Sequence, residues 1–185
     1  MSPRFCIAEQ HGLQEPKYRV IDDLSRSHAN STTDSTDTCR PQDLDTLVAH
    51  FRALEKLGAT DFRAWSGDCS NAYKTIGLHE SSKEGETVCF VDPYTNVPHK
   101  ARILAQPFGS SRPPANWGGV VTSIQFIAME LLALTVGAFV DDVYCDEPMG
   151  AAMSGFWAFK RLAKLQGFPT SDKKAQPPNT SLVLL

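Results

Sequence analysis

Three aspartates stand where a protein could hold divalent cations. Asp141 and Asp142 are adjacent and end a long apolar run, and Asp68 ends a shorter segment whose composition favours a strand. Two divalent ions about 3.5–4 Å apart need several shared carboxylates to hold them while they clamp the attacking and leaving oxygens. The three aspartates are therefore the candidate catalytic and metal-binding residues, and the chemistry that they indicate is two-metal catalysis.

Each aspartate also has a plain structural explanation. Aspartate is common in turns, and on a regular strand the side chains of Asp141 and Asp142 would point to opposite faces. A tight turn at the pair would instead bring both carboxylates near one site. Because buried aliphatic residues run up to the pair, charge at this position is costly unless a cation compensates it.

A loop rich in glycine and proline lies between these sites. It covers residues 106–117 and leads into a helix, with proline near the first turn, as is usual. Gly109 in this loop would let the backbone approach a ligand closely.

The elements that must position these residues are strands interleaved with long helices. Residues 27–38 are rich in Ser, Thr, Asn and Asp, which predicts a surface loop. The order of elements predicts an α+β fold in which an antiparallel sheet is covered on one face by helices. The predicted strands are 18–24, 62–68, 87–92, 98–106, 138–144 (bent at its middle) and 181–185, and the predicted helices are 43–57, 116 to about 135, and 150–165.

Composition indicates an ordinary globular chain. Its 185 residues are 42% hydrophobic and 21% charged, which excludes a disordered or collagenous class. The formal net charge of -3 gives no global attraction to phosphate, so a nucleic-acid partner requires a local basic surface. Basic residues gather late in the chain, at Lys160, Arg161, Lys164, Lys173 and Lys174.

The sequence favours an intracellular protein, cytoplasmic or nuclear. Its 5 cysteines are odd in number and widely spaced, which indicates reduced thiols. The N-terminus lacks the apolar stretch of a signal peptide, so secretion is not expected. Residues 118–140 are long and apolar enough to raise the question of a membrane span. Glu130 near the middle of that run opposes a span, and no membrane partner is expected.

Taken in order, these segments resemble the palm of reverse transcriptases, the RNA-directed DNA polymerases of retroelements, over residues 17–185. Phe-Val-Asp-Asp at 139–142 is close to the Tyr-x-Asp-Asp signature, with Phe in place of Tyr. Residues 68–73 look like the first palm motif, and Gln-Pro-Phe-Gly at 106–109 is similar to the Pro-x-Gly loop beneath the template. The resemblance implies that Asp68, Asp141 and Asp142 bind two Mg²⁺ ions, with Mn²⁺ as an alternative.

The resemblance also implies nucleotide-binding residues. Arg19, four residues before Asp23, matches a fingers motif in which the arginine contacts the incoming triphosphate. Tyr73 stands where a bulky aromatic side chain excludes the ribose 2′-hydroxyl, which favours deoxynucleotides. The remaining candidates are Phe108 and Gly109 in the loop, and Lys173 or Lys174 as the lysine near the triphosphate.

The implied reaction is template-directed addition of a deoxynucleotide to a primer 3′-hydroxyl. The implied partners are an RNA or DNA template with its primer, and deoxynucleoside triphosphates. Residues 1–60 would form partial fingers and a connecting helix, and residues 61–185 the palm. A thumb and an RNase H are not present in the sequence and would be missing segments of a parent polyprotein, so the expected polymerase is incomplete.

Three other functions compete with this one. A non-catalytic nucleic-acid-binding remnant of a retroelement palm is favoured by the lack of a thumb and opposed by the intact metal ligands. A small membrane protein anchored by residues 118–140 is the second. An RNA-templated RNA polymerase is the third, and Tyr73 opposes it.

Overall fold

The computed structural model describes residues 2–10, 15–32, 42–83 and 87–183. The strands form two four-stranded sheets, ordered β2-β1-β4-β5 and β6-β7-β3-β8, and all pairs except β1–β4 are antiparallel. This mixture of helices and mainly antiparallel sheets agrees with the predicted α+β class. The elements are β1 (Ser2–Glu9), β2 (Lys17–Asp22), α1 (Leu44–Lys56), β3 (Phe62–Asp68), α2 (Glu80–Lys83), β4 (Thr87–Val91), β5 (Pro98–Arg102), α3 (Pro113–Leu132), β6 (Gly137–Phe139), β7 (Asp142–Pro148), α4 (Met149–Leu165) and β8 (Gln176–Asn179).

The chain forms two compact units, each discontinuous in sequence. The first consists of Met1–Thr38 and Tyr73–Ala115, and the second of Cys39–Ala72 and Asn116–Leu185. The predicted division at residue 60 differs from this one. The division differs because strands that are far apart in sequence pair with each other: β1 pairs with β4, and β3 pairs with β7.

The sheet of the first unit is built around β1. This strand pairs antiparallel with β2, from Arg4 opposite Asp22 to Glu9 opposite Lys17, and parallel with β4 at its start. The sequence patterns did not predict β1. The hairpin of β4 and β5 was predicted, but β5 ends at Arg102 instead of residue 106.

The sheet of the second unit is built around β3, whose bounds match the predicted strand. It pairs with β7 along its whole length, from Phe62 opposite Pro148 to Asp68 opposite Asp142, and with β8 on its other side. Trp65 on β3 is fully buried, and its ring lies 5.3 Å from that of Phe159 on α4. Helix α4 therefore covers the face of the sheet to which Trp65 points.

Helix α1 packs against the opposite face of the same sheet. The hydroxyl of Tyr144 donates to the backbone oxygen of Asp43 at the start of α1, 3.3 Å away, and His50 on α1 lies 3.6 Å from Asp146. On β7, Tyr144 and Asp146 lie on either side of Cys145, which is opposite Trp65. Their side chains therefore point to the other face of the sheet. The expectation that helices cover only one face is wrong for this sheet, because α1 and α4 lie on opposite sides.

The predicted last strand at residues 181–185 is also wrong where it can be assessed. The strand of this region is β8, and residues 181–183 are not in a strand. The amide side chain of Gln176 accepts from the backbone N–H of Val183 and donates to its oxygen, which folds the segment back on β8. Residues 184 and 185 lie outside the described residues.

Helix α3 begins at Pro113, three residues earlier than predicted, because proline suits the first turn of a helix. Among the helices of the described ranges, none combines the length and the apolar character needed to cross a membrane. In those ranges, Cys6, Cys69, Cys89 and Cys145 form no disulfide bond.

Candidate active site

The carboxylates of the second unit meet where β3 ends and β7 begins. Asp68, the last residue of β3, lies directly opposite Asp142, the first residue of β7. Directly opposed residues of an antiparallel pair point to the same face, with Cβ atoms about 4.5–5.5 Å apart. The backbone N–H of Cys69 donates to the oxygen of Asp141 at 2.9 Å, which extends this pairing by one step. The structure thus places the three aspartates that the sequence singled out at one end of the β3–β7 ladder.

A two-residue turn separates β6 from β7 and carries Asp141. Phe139 and Asp142 are the last pair of the ladder, so Val140 and Asp141 form the tip. Val140 has a φ of 58°, as the first central residue of a type II′ turn has. A β-branched residue rarely adopts this conformation, which costs on the order of 1–3 kcal/mol. The predicted bend is therefore a strained hairpin tip that places two adjacent carboxylates together.

A hydrogen bond from α3 holds this tip. The indole Nε1 of Trp117 donates to the backbone oxygen of Val140 at 2.8 Å. Trp117 is buried, and its ring lies 5.6 Å from that of Phe168 in an edge-to-face arrangement. Trp117 was not among the predicted site residues. A lone tryptophan early in a helix that follows the glycine-proline loop is the signal that could have indicated it.

The three carboxylates concentrate negative charge. Partial burial, followed by the charges of Asp141 and Asp68, raises the pKa of Asp142 to about 6. The thiol of Cys69 responds to the same charges: burial and the three aspartates raise its pKa to about 12, so it remains protonated. Negative charge at this position lacks full compensation by the protein.

Lys174 supplies part of the compensation. Its Nζ lies 2.5 Å from Oδ2 of Asp68, whose side chain is almost buried. The hydrogen bond to Asp68 and the nearby carboxylates raise the pKa of Lys174, so it is charged. The sequence left Lys173 and Lys174 as alternatives. In the structure Lys174 is the lysine whose Nζ contacts the carboxylate site.

The segment that carries Lys174 is fastened to the end of β3. The backbone N–H of Ser70 donates to the oxygen of Pro169 at 3.0 Å, and that of Ser171 donates to the oxygen of Asp68 at 2.8 Å. Thr170 and Cys69 form a β-bridge between these contacts. Backbone pairing therefore fixes the path of residues 169–171 along the strand that ends in Asp68.

The donor chemistry of this site fits Mg²⁺. Carboxylate oxygens are the ligands that Mg²⁺ prefers. Burial, followed by the charges of Asp141 and Asp68, raises the pKa of Asp142, and a bound cation would oppose this rise. Within residues 2–10, 15–32, 42–83 and 87–183, however, no three or more His, Cys, Asp and Glu side chains are already arranged as a ligand set. The contact between Lys174 and Asp68 occupies one of the ligand oxygens with an ammonium group.

The loop candidates belong to the first unit. Tyr73 and Phe108 pack edge to face with ring centroids 5.5 Å apart. Gly109 has a φ of 101°, and a Cβ added to it would lie 2.0 Å from the backbone oxygen of Asp22. The sequence predicted close approach of a ligand at Gly109. What approaches is the carbonyl of the chain itself, while the side-chain amide of Asn30 donates to the oxygen of Gly109 at 2.9 Å.

Arg19 also belongs to the first unit and lies on β2. Its Nε is 2.7 Å from Oε2 of Glu9 on β1, and both side chains are partly exposed. Asp23 accepts a hydrogen bond from the backbone N–H of Arg26 at 2.9 Å. The roles assigned to Arg19, Tyr73, Phe108 and Gly109 toward a nucleotide remain predictions.

Comparison of the sequence with protein-family models gave no match, and comparison with curated proteins gave none either. The functional conclusion therefore depends on the residues and geometry of the site.

Proposed function

We propose that the second unit is the palm of a reverse transcriptase, which adds deoxynucleotides to a primer 3′-hydroxyl under the direction of an RNA or DNA template. The observation that carries this proposal is the direct opposition of Asp68 and Asp142 in the ladder of β3 and β7, with Asp141 beside them at the tip. The antiparallel order β6-β7-β3-β8 supports it, since it presents both aspartate motifs at one end of the sheet.

In this proposal the carboxylates bind the metal ions and fix their positions. Two Mg²⁺ or Mn²⁺ ions, when bound by Asp68, Asp141 and Asp142, supply charge stabilisation to the attacking and leaving oxygens. The contribution of the chain is a rigid arrangement: the ladder fixes Asp68 against Asp142, and the turn held by Trp117 fixes Asp141. Positioning and charge neutralisation are the main demands that phosphoryl transfer makes on a protein.

Lys174 has two roles in the proposal. It neutralises Asp68 in the free protein, where its Nζ contacts Oδ2 of that residue. When cations take over the neutralisation of Asp68, the ammonium group becomes available to the phosphates of the incoming nucleotide. Arg19, Tyr73, Phe108 and Gly109 retain the nucleotide-binding roles that the resemblance implies.

A single-turnover assay tests the proposal without requiring processive synthesis. The chain is held in excess over a primed template at low salt, with Mg²⁺ and the templated deoxynucleotide. We expect slow, template-directed extension by one nucleotide, lost in Asp68→Asn and Asp141→Asn. The matched control is Asp45→Asn, an exposed aspartate on α1, which should extend like the original chain. Absence of extension, or equal extension by Asp141→Asn, would contradict the proposal.

A non-catalytic nucleic-acid-binding remnant is the second candidate. The contact between Lys174 and Asp68 favours it, because an internal ammonium group can replace a cation as the partner of a carboxylate. The two candidates differ in the same assay when Lys174→Ala is added. A catalytic palm should extend more slowly without this lysine, whereas a remnant should bind primed template and extend it in neither form.

A further inference from the structure

A groove with basic and aromatic walls lies along the C-terminal half of α4 in the second unit. It has a volume of about 880 Å³ and is bounded by α4 residues from Trp157 onward and by part of the segment 169–172. Pockets that accept small ligands typically measure about 300–1,000 Å³. We refer to this feature as the α4 groove.

The charge of the α4 groove is opposite in sign to that of the chain. Lys160, Arg161 and Lys164 line it, and Asp172 is the acidic residue that faces them. Helix α4 contains no aspartate or glutamate in its 17 residues, whereas the whole chain carries a formal charge of -3. A positive groove on an acidic chain selects anionic partners.

Trp157 provides a flat apolar surface within this positive groove. Its side chain is 59% exposed, an unusual state for tryptophan. Lys160 steadies it, since Nζ of Lys160 lies 5.0 Å from the Trp157 ring centroid and 2.5 Å from Oδ1 of Asp172. Because Lys160 is committed to these two neighbours, the exposed cations that can meet a ligand are Arg161 and Lys164.

The second wall of the α4 groove continues toward the carboxylates. Pro169 and Thr170 line the groove, and the same segment pairs with the end of β3 through Ser70 and Asp68. Lys174, which contacts Asp68, lies two residues beyond Asp172 of the groove. One segment of the chain thus joins the groove to the carboxylate site.

We propose that the α4 groove binds single-stranded nucleic acid, with a base stacked on Trp157 and phosphates on Arg161 and Lys164. Stacking on an exposed aromatic ring combined with a cationic groove is how proteins bind single strands without sequence preference. A duplex hides the faces of its bases, and an acidic peptide lacks a flat group for the indole. Binding in the groove needs no divalent cation, so it can hold or fail independently of the proposed polymerase activity.

Tryptophan fluorescence tests the stacking directly. Of the 3 tryptophans, Trp65 and Trp117 are 0% and 1% exposed, so quenching by an added oligonucleotide reports on Trp157. The probe is a fluorescein-labelled oligothymidylate, titrated at low salt in EDTA and followed by quenching and by anisotropy. We expect quenching in the original chain, and binding at least about tenfold weaker in Trp157→Ala. Trp157→Phe retains an aromatic face and should bind more tightly than Trp157→Ala.

The salt dependence of binding tests the phosphate contacts. The double variant Arg161→Ala, Lys164→Ala should bind more weakly, and the slope of log affinity against log salt should fall by about 1.4, or about 0.7 for each single-strand phosphate contact. The matched control removes two exposed cations of α1, in Arg52→Ala, Lys56→Ala. This control should leave the affinity and the slope nearly unchanged.

Several outcomes would overturn the proposal. These are failure of the oligonucleotide to bind or to quench, unchanged binding in the Arg161 and Lys164 variant, and an equal loss in the α1 control. Self-association that depends on Trp157 in sedimentation experiments, without oligonucleotide binding, would assign the groove to a contact between copies of the chain. If Trp157→Ala fails to fold, the Trp157→Phe and Arg161/Lys164 variants still decide the question.

Discussion

Asp142 lies in a half-buried position beside two other carboxylates, and this costs the folded chain free energy at neutral pH. Its pKa is about 6 in the folded state against an ordinary 3.8. A raised carboxyl pKa means that the folded state gains stability as pH falls through about 6 and loses it as pH rises. In a metal-binding site, the bound cation offsets this loss of stability.

Replacement of Asp142 by Asn should therefore stabilise the cation-free protein above pH 6. After allowance for solvent screening of a partly exposed group, we expect a gain on the order of 1 kcal/mol at pH 8 that shrinks by pH 5. Urea unfolding in EDTA at both values measures it. The control, Asp172→Asn, removes an exposed carboxylate whose pKa Lys160 lowers, so it should bring no gain. A less stable Asp142→Asn protein at pH 8 would refute this charge assignment.

Tyr73 is the residue to which the resemblance assigns sugar discrimination. Tyr73→Ala should accept ribonucleotides more readily, because removal of the ring would leave room for the 2′-hydroxyl. The measurement is the ratio of single-turnover rates with a deoxynucleotide and the matching ribonucleotide. Tyr94→Ala, which removes an exposed tyrosine from the turn between β4 and β5, is the control. An unchanged ratio in Tyr73→Ala would remove the assignment.

Sequence patterns identify single residues best where chemistry restricts the choice. The three aspartates could be proposed because Asp141 and Asp142 end an apolar run and Asp68 ends a predicted strand. Trp117 was missed, because its role depends on a hydrogen bond to a carbonyl 23 residues away. Gly109 was recognised as a point of close approach, but the approaching group, the carbonyl of Asp22, depends on how distant segments pack.

The hairpin of β6 and β7 is the element on which the site depends most. Trp117→Phe keeps an aromatic ring but removes the hydrogen bond to Val140, which should cost about 1 kcal/mol of stability. Divalent-cation binding should weaken further, because the tip that carries Asp141 loses its restraint. Urea unfolding and Mn²⁺ titration separate the two effects, with Trp157→Phe as a control for the loss of an indole.

A second substitution at the tip makes this test specific. Glycine adopts positive φ without strain, so Val140→Gly in the Trp117→Phe background should restore part of the lost stability. Unaltered Mn²⁺ binding in Trp117→Phe, or no recovery of stability on adding Val140→Gly, would show that Trp117 does not position the turn.

Among the helices and strands, the sequence pattern predicts an element well where its apolar residues recur with one clear period. Helix α1 has its N-cap at Asp43, whose side chain accepts from the N–H of Thr46, and its predicted bounds agree closely with the structure. Strand β1 was missed because Pro3 interrupts its pattern and its interior residues are exposed. It is a strand because β2 and β4 pair with it, which local sequence does not encode.

Across the whole molecule, the chain passes three times between its two units, after residues 38, 72 and 115. The sequence predicted the α+β class but placed the division at residue 60, because it treated neighbouring segments as partners. Pairing of β1 with β4 and of β3 with β7 determines the actual division. Pairing over such separations depends on the packing of the complete chain.

In the proposed function, Asp68 and Asp141 belong to one divalent-cation site. Titration with Mn²⁺, with free ion followed by electron paramagnetic resonance, tests it without requiring catalysis. We expect saturable binding by the original chain that competes with Mg²⁺, and a loss of at least about tenfold in affinity, or about 1.4 kcal/mol, in both Asp68→Asn and Asp141→Asn. Asp172→Asn should bind like the original chain. Equal Mn²⁺ binding by all four proteins, or none by any of them, would contradict the claim.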